Sequence, residues 1–224
     1  MQRTQVTILS LWLFLASTLQ AENGLNPLNW FGNEDEGVFA LDIANAAEEA
    51  EAASKLTNGK AKLEAGSIWS ADRTFKKIIK TYPTAKATAE AHFLRGKILM
   101  SKGRWVKAFN QFQEIAVKHP DYKHFDQVIS AQFDCATALM EGARGRILWV
   151  IPGFKQYGEA VKEFELIVRN APYSDYAPLA LMNIALVSEL KENPEEAIDA
   201  LDRLINYYPQ SMLAPDAYYN MAET

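Results

Sequence analysis

The sequence predicts an all-α protein in which helical hairpins stack into an α-α superhelix. One short pattern of apolar residues, ending in Pro, occurs four times in the 224-residue chain. Residue types that interrupt helical periodicity separate this pattern from a second amphipathic stretch upstream. Hydrophobic residues make up 49% of the chain and charged residues 23%, the balance of an ordinary soluble globular protein. Together these features predict a repeated pair of amphipathic helices.

The repeated pattern fits one face of a helix. Within each copy the apolar residues are spaced by four and then three positions, and Pro follows five positions after the last. Offsets of four and seven place three side chains on the same side of an α-helix. Pro ends that helix because it cannot continue the hydrogen-bond ladder. The copies are Ala71-Phe75-Ile78-Pro83, Ala108-Phe112-Ile115-Pro120, Ala160-Phe164-Ile167-Pro172 and Ala197-Leu201-Leu204-Pro209.

Each copy is expected to form the second helix of a hairpin. A small residue stands twelve positions before the repeated Ala in three copies, as expected where two antiparallel helices approach closely. The turn between the two helices is marked by a Gly or by Asn-Pro. The small residues are Gly59, Gly96 and Ala185, and the turns contain Gly66, Gly103 and Asn193-Pro194.

A single hairpin cannot bury its own apolar face, so we expect the hairpins to stack and to share stability with their neighbours. Trp69 and Trp105, near the start of second helices, are expected to fill the open end of the hairpin. The segment from Ala214 to Thr224 resembles the opening of a further first helix, as in a chain that continues. Helices are predicted near 44–65, 70–81, 86–101, 104–118, 124–141, 157–169, 176–191, 195–207 and 215–224.

Residues 1–21 are predicted to be a secretory signal peptide. Arg3 supplies a positive start, Val6 to Ala16 is mostly apolar, and Ala21 is a small residue suited to cleavage. The alternative is a membrane anchor, but the apolar run is short for a bilayer core of roughly 30 Å. The predicted organisation is therefore a signal peptide, a flexible lead-in over 22–43, and a repeat domain over 44–224.

The spacing of Ala, Phe and Pro, with Gly before them, resembles the tetratricopeptide repeat (TPR) consensus over residues 44–224. Successive copies are 37 residues apart, from Ala71 to Ala108 and from Ala160 to Ala197. The interval between Ala108 and Ala160 is 52 residues. The expected fold is thus a TPR-like superhelix of 37-residue hairpins, with an insertion at 142–156 in the third hairpin.

The signal peptide, the 37-residue interval and this insertion together resemble the BamD-like outer-membrane assembly lipoproteins. His119-Pro120 followed by a long helix, and Phe164-Glu-Leu-Ile-Val-Arg-Asn-Ala-Pro172-Tyr-Ser-Asp-Tyr176, are similar to that family. The resemblance implies a scaffold in the periplasm or on the periplasmic face of the outer membrane. Its partners would be a β-barrel assembly component and unfolded outer-membrane protein segments, and any membrane association would be peripheral, through those partners.

One position departs from that family. Its members carry a Cys directly after the signal peptide for lipidation, whereas Ala21 is followed here by Glu22. The alternative function is a soluble periplasmic adaptor that coordinates cell-envelope or division machinery, similar to the coordinator of the Tol system. Ile205-Asn-Tyr-Tyr-Pro-Gln-Ser211 is also similar to the repeats of that protein.

Several function classes are disfavoured by composition. A formal charge of −5 and the lack of a basic run argue against nucleic-acid binding, which depends on clustered Lys and Arg. The single cysteine, Cys135, excludes an internal disulfide and is expected to be a buried small hydrophobe rather than a catalytic thiol. Gly142-Ala-Arg-Gly-Arg146 lacks the strand and the Lys-Ser/Thr of a phosphate loop.

Isolated acidic and histidine residues have structural explanations. His119 and His124 could suggest a metal site, but no third ligand stands at helical spacing, and a helix-end position for His119 is favoured. Acidic pairs such as Glu195-Glu196 are expected at helix starts, where carboxylates favour the positive end of the helix dipole. We therefore expect no enzymatic activity, no cofactor and no bound metal.

Two binding surfaces remain as candidates. The first is the concave face of the first helices, where Lys60 and Lys97 follow the small residue in successive hairpins. They are expected to lie side by side and to bind a carboxylate, although two solvated lysines are the alternative. Apolar neighbours would suit an extended peptide with a free C-terminus; they are Leu56 and Leu63 around Lys60, and Phe93 and Met100 around Lys97.

The second candidate surface is an apolar run inside the insertion that the repeat core does not require. Such a run is expected either to be a partner-binding surface or to fold back into the groove of the superhelix. Its residues are Ile147, Leu148, Trp149, Val150 and Ile151.

Overall fold

The structure, a computed structural model, describes residues 34–142 and 156–224, with side chains from residue 46 onward. Within these ranges the chain forms nine α-helices and no strand. They are α1 (Glu34–Glu64), α2 (Ile68–Thr81), α3 (Lys86–Ser101), α4 (Trp105–Lys118), α5 (Phe125–Met140), α6 (Tyr157–Asn170), α7 (Tyr176–Leu190), α8 (Pro194–Tyr207) and α9 (Ala214–Glu223).

Some sequence predictions fall outside the described residues. The signal peptide at 1–21, the first part of the lead-in, and Ile147 to Ile151 of the insertion are among them. The expected lead-in is helical from Glu34 on, and no helix start lies near residue 44. Ala and Glu, which favour helix, dominate 44–53, and the helix extends upstream of that stretch. The chain divides into two compact units, 1–47 and 48–224, and the packed hairpins belong to the second.

The repeated apolar residues form the centre of each hairpin, as predicted. All twelve are fully buried, at 0% exposure. The second helices α2, α4, α6 and α8 therefore present the same face to the interior in every copy. The residues are Ala71, Phe75, Ile78, Ala108, Phe112, Ile115, Ala160, Phe164, Ile167, Ala197, Leu201 and Leu204.

Every second helix ends in the same way. The residue after the helix donates its backbone N–H to the carbonyl of the last buried residue of the pattern, and Pro follows directly. The residue before Pro is driven out of the α region by the proline ring, which terminates the helix. These residues are Tyr82, His119, Ala171 and Tyr208, bonded to Ile78, Ile115, Ile167 and Leu204.

The first helices approach the second helices most closely at glycine. A Cβ atom on Gly59 would lie 2.5 Å from the Phe75 ring, and one on Gly96 would lie 2.5 Å from the Phe112 ring. Both phenyl rings are fully buried. Glycine is thus required here by space, as the sequence pattern predicted.

The turns of the first, second and fourth hairpins contain a residue with positive φ five positions before the repeated Ala. This residue is Gly66 (φ 75°) in the first, Gly103 (φ 65°) in the second and Glu192 (φ 58°) in the fourth. The sequence predicted the fourth turn at Asn193-Pro194. Asn193 ends that turn and also caps α8, since its side chain accepts a hydrogen bond from the Glu196 backbone N–H at 3.3 Å.

The prediction for the tryptophans is confirmed for one residue and wrong for the other. Trp105 packs against the main core. Trp69 is 71% exposed and instead lies beside Arg73, whose guanidinium carbon is 5.5 Å from the ring centroid. Trp69 follows the turn directly in α2, and the cation over its ring is a favourable contact that needs no burial.

Neighbouring helices pack in order along residues 48–224, so the hairpins form the predicted all-α superhelical stack. One apolar core runs from α3 to α9, and a second joins α1, α2 and α3. In the part of the chain that the structure describes, no helix is both long and apolar enough to cross a membrane.

Candidate functional site

The exposed sides of the first helices lie next to one another. Lys60 of α1 is bonded to Glu90 of α3, α5 contacts α7, and the Asn220 amide of α9 lies 3.6 Å from the Met182 sulfur of α7. We call this surface the first-helix face. It comprises Leu56, Lys60 and Leu63 of α1, Glu90, Phe93, Lys97 and Met100 of α3, Asp134 of α5, and Leu179, Met182, Leu186 and Leu190 of α7.

Lys60 is held by an ion pair that links the first two hairpins. Its Nζ lies 2.7 Å from Glu90 Oε1, and the Tyr122 hydroxyl donates to Glu90 Oε2 at 2.5 Å. Partial burial by itself raises the pKa of Glu90. The hydrogen bonds from Lys60 and Tyr122 outweigh that effect and hold the Glu90 pKa below its usual value. Glu90 is therefore ionised at neutral pH, and Lys60 already has a carboxylate partner.

Lys97 lies at the equivalent position in the second hairpin, but its surroundings differ. It is exposed and forms no ion pair with any described residue. The residue 37 positions after Glu90 is Gln127, whose neutral amide cannot neutralise an ammonium. Lys97 is thus a cation on the first-helix face with no carboxylate assigned to it.

The neighbours of Lys97 form an apolar surface that is held in place by packing against the core. The Phe93 ring packs edge-on against buried Phe112, with centroids 5.8 Å apart, and lies 6.1 Å from the Tyr122 ring. Phe93 and Met100 are half-buried and pack against the main core. The exposed parts of Phe93 and Met100 can contact an apolar side chain of a ligand, and the neighbouring Lys97 ammonium can bind a carboxylate of the same ligand.

The predicted pair of lysines is therefore unequal. Leu56 and Leu63 are half-buried beside Lys60, as Phe93 and Met100 are beside Lys97. Binding of one carboxylate by both ammonium groups would require Lys60 to exchange Glu90 for the ligand. The two-lysine clamp stays a prediction, and sequence reasoning missed Glu90 and Tyr122.

The first-helix face changes character along the stack. Lys60, Glu90, Lys97 and Asp134 make its first half charged. In the fourth hairpin the residues equivalent to Glu90 and Lys97 are exposed leucines, Leu179 at 37% and Leu186 at 46%, and Leu190 at the end of α7 is 53% exposed. A partner that follows the face would meet charged groups first and leucines further along.

The other candidate residues are structural. His119 caps α4, and His124 stands at the start of α5 with its ring 5.7 Å from the Tyr122 ring. Among the described residues, no three His, Cys, Asp or Glu side chains are grouped to hold a metal. Cys135 is fully buried, and burial raises the pKa of its thiol. Glu195 and Glu196 lie in the first turn of α8, as predicted.

The fold and this face together define a class of protein, the helical-repeat proteins that present a surface made of first helices. Comparison with protein families agrees with that class. Tetratricopeptide repeat models match residues 56–123 and residues 179–211. The chain therefore contains tetratricopeptide repeats, which are modules for protein–protein interaction. No curated protein matches the chain.

Similar solved structures include other helical-repeat proteins. A fragment of MamA from Desulfovibrio magneticus RS-1 is 17% identical, with 77% of this chain and 92% of that chain covered and a TM-score of 0.41. YrrB, described as a TPR protein with an unusual peptide-binding site, is 16% identical, with 81% and 97% covered and a TM-score of 0.32. A tetratricopeptide repeat protein from Parabacteroides merdae is 16% identical, with 86% and 71% covered and a TM-score of 0.39.

Proposed function

We propose that the chain is a scaffold whose first-helix face binds an extended segment of a partner protein. The observation that carries this proposal is Lys97, an exposed ammonium without a carboxylate partner among the described residues, beside the firm apolar surface of Phe93 and Met100. A lone cation flanked by apolar side chains suits a carboxylate that follows or precedes an apolar residue.

The contacts suggest how such a segment would be oriented. Its carboxylate, either a C-terminus or an acidic side chain, would accept hydrogen bonds from Lys97. Its apolar residues would cover Phe93 and Met100 and, further along the face, Leu179 and Leu186. The Lys60–Glu90 pair would flank the first contact and favour partners with a separate positive and negative group.

At a finer level, we propose that this scaffold works in outer-membrane β-barrel protein assembly, in the manner of the BamD-like proteins. It would lie in the periplasm or on the periplasmic face of the outer membrane. The 37-residue interval, the signal-like start and the insertion in the third hairpin support this proposal. Its partners would be a β-barrel assembly component and unfolded outer-membrane protein segments.

The alternative is a soluble periplasmic adaptor for cell-envelope or division machinery. It is favoured by Glu22, which stands where the lipoprotein family carries the lipidated Cys. Both functions use the same first-helix face and differ in the partner that occupies it.

Affinity capture from detergent-solubilised envelopes distinguishes the two. Recovery of a β-barrel insertase supports the assembly function, and recovery of Tol or peptidoglycan-synthesis proteins supports the adaptor. In either case Lys97→Glu is expected to reduce capture about tenfold or more, because it reverses the charge at the centre of the face. Lys107→Glu, an exposed position on second helix α4, is the charge-matched control. Equal loss in both variants, or in neither, would contradict the proposed site.

A further inference from the structure

A second surface lies where two connecting loops meet, and it shares Leu179 of α7 with the first-helix face. The loop after α6 contains Pro172, Tyr173 and Asp175, and the loop after α8 contains Pro209 and Met212. Between them is a groove of about 1050 Å³, lined also by Tyr207 at the end of α8. We call it the loop groove. Its volume is large enough for several residues of an extended chain.

The apolar residues that line the loop groove are strongly exposed. Tyr173 is 101% exposed, Met212 94% and Tyr207 73%. Single exposed apolar residues are common on proteins, but three of them around one concave surface indicate an interaction site. Tyr is also favoured in binding surfaces, because it offers a large contact area with little conformational entropy to lose.

The first two hairpins show that the fold does not require these residues. One position after the loop Pro, they carry Thr84 and Asp121 where the third carries Tyr173. Three positions after the Pro, both carry a lysine, Lys86 and Lys123; the third hairpin carries Asp175 and the fourth Met212 at that position. Because polar side chains satisfy the same turns elsewhere in the chain, the apolar set in the loop groove needs another explanation.

The walls of the loop groove are fixed by hydrogen bonds between the two repeats. The Tyr208 hydroxyl donates to the Pro172 carbonyl at 2.8 Å and ties one loop to the other. Arg203, which also lines the groove, binds Glu165 through two hydrogen bonds of 2.6 and 2.9 Å and approaches Asp199 at 3.4 Å. A groove held in this way loses little conformational entropy when a ligand enters.

The charges around the loop groove favour a cationic partner. Arg203 is already neutralised by its two carboxylate partners. Asp175 lines the groove, is exposed, and makes no cap hydrogen bond to α7 although it stands at the start of that helix. It also forms no ion pair with any described residue. The groove therefore presents a carboxylate that no described cation neutralises, between aromatic rings that can also contact a cation.

We propose that the loop groove binds an extended segment of a protein partner in which apolar residues flank a lysine or arginine. The basic group would pair with Asp175, and the apolar residues would cover Tyr173, Tyr207 and Met212. The two surfaces differ in the charge that they select, because the first-helix face offers the ammonium of Lys97 and the loop groove offers the carboxylate of Asp175.

The test uses the full chain with ¹³C-labelled methionine methyl groups, because Met212 lies in the loop groove and Met100 on the first-helix face. The probes are acetyl-Leu-Pro-Leu-Lys-Pro-Leu-Phe-amide and the same peptide with Glu in place of Lys. We expect the Lys peptide to shift the Met212 methyl signal and to leave the Met100 methyl signal unchanged. The Glu peptide is expected to bind about tenfold more weakly at Met212.

Variants taken from the equivalent positions of the second hairpin keep the fold intact while changing the loop groove. Asp175→Lys is expected to invert the preference between the two peptides, and Tyr173→Asp to weaken the Lys peptide about tenfold. Val117→Lys, which removes an exposed apolar residue from α4, is the control and should change neither.

Three results would overturn the proposal. The first is the absence of any Met212 shift, or a shift of Met100 alone. The second is that the unmodified protein binds the Lys and Glu peptides with equal affinity, and that the Asp175→Lys variant does so too. The third is a Met212 signal that shifts with protein concentration when no peptide is present, since a second copy of the chain would then occupy the groove.

Discussion

Glu163 is a carboxylic acid buried inside the third hairpin, at 3% exposure. Its Oε2 and the Oε1 of buried Gln132 have no hydrogen-bond partner among the described residues. In the second hairpin the equivalent positions hold Arg95 and Gln111, which are bonded at 3.1 Å. Burial raises the pKa of Glu163 to about 8, so the group is largely protonated at neutral pH.

This burial makes stability depend on pH. Between the unfolded pKa near 4.5 and the folded pKa of about 8, Glu163 holds a proton in the folded state and loses it on unfolding. Stability therefore falls as pH rises, by at most about 1.4 kcal/mol per pH unit. Buried His92, whose pKa burial lowers to about 4, acts in the opposite direction below pH 6.5. The fall is expected in urea unfolding measured from pH 6.5 to 8.

Glu163→Gln introduces the residue that the second hairpin carries at this position. It is expected to remove the pH dependence between 6.5 and 8 and to raise stability at pH 8, because no charge then needs to be buried. Glu195→Gln, an exposed change in the first turn of α8, is the matched control. An unchanged pH profile in Glu163→Gln would show that another group causes the slope.

Glu192 is a second residue in an unfavourable setting, since it adopts φ 58° where the first two hairpins have glycine. A left-handed conformation costs a non-glycine residue roughly 1–2 kcal/mol. Glycine avoids this cost, but part of the gain is offset because glycine loses more conformational entropy on folding than other residues. Glu192→Gly is expected to stabilise the protein by about 0.5–1 kcal/mol in urea unfolding. Gly66→Ala, where a Cβ meets no atom within 4 Å but φ is 75°, should destabilise it. A loss of stability in Glu192→Gly would contradict this account.

At the scale of the helices, period and spacing predicted most of what the structure contains. The twelve repeated apolar residues are buried, and the second helices end before the loop prolines. These features depend on local rules, in which helical periodicity selects a face and Pro stops a helix. Local rules also placed the close contact at Gly59 and Gly96.

The features that sequence missed depend on neighbours distant along the chain or on atypical residues. The partner of Lys60 is Glu90, thirty positions away on the next first helix, and no local pattern indicates that pair. Glu192 stands where the first two turns have glycine, so a search of the sequence for glycine does not find the positive-φ position of the fourth turn. Trp69 was expected to fill the end of the hairpin because it lies near the start of a second helix, yet large apolar residues are often found on surfaces.

Packing between paired helices gives a prediction at this scale. Gly96 faces Phe112 in the second hairpin, whereas Ala185 and the smaller Leu201 occupy the equivalent positions in the fourth. Gly96→Ala is expected to destabilise the protein by about 1–3 kcal/mol, because its Cβ would lie 2.5 Å from the ring. Adding Phe112→Leu should restore part of that loss, as it makes room for the methyl group.

The measurement is a double-mutant cycle in urea. The two changes together should cost less than the sum of the single changes by about 0.5–3 kcal/mol. If the two changes in unfolding free energy simply add, contact with Phe112 is not the reason why position 96 requires glycine.

At the scale of the molecule, the chain offers two surfaces of opposite preference. The first-helix face carries the ammonium of Lys97, the loop groove carries the carboxylate of Asp175, and neither group is ion-paired with a residue that the structure describes. Both are supported by hairpins whose repeated apolar residues are fully buried, so that the binding groups are presented by a regular framework. A scaffold of this kind acts by holding partner segments, and its specificity comes from charge placement on a repeated apolar surface.

We propose that partner proteins occupy the first-helix face. Site-specific photo-crosslinking tests it most directly, with the photoreactive amino acid placed at Lys97 and, as control, at exposed Val117 on second helix α4. After irradiation of intact cells, we expect a defined protein adduct from position 97 and none from position 117. Adducts of equal yield from both positions, or an adduct from position 117 alone, would contradict the claim.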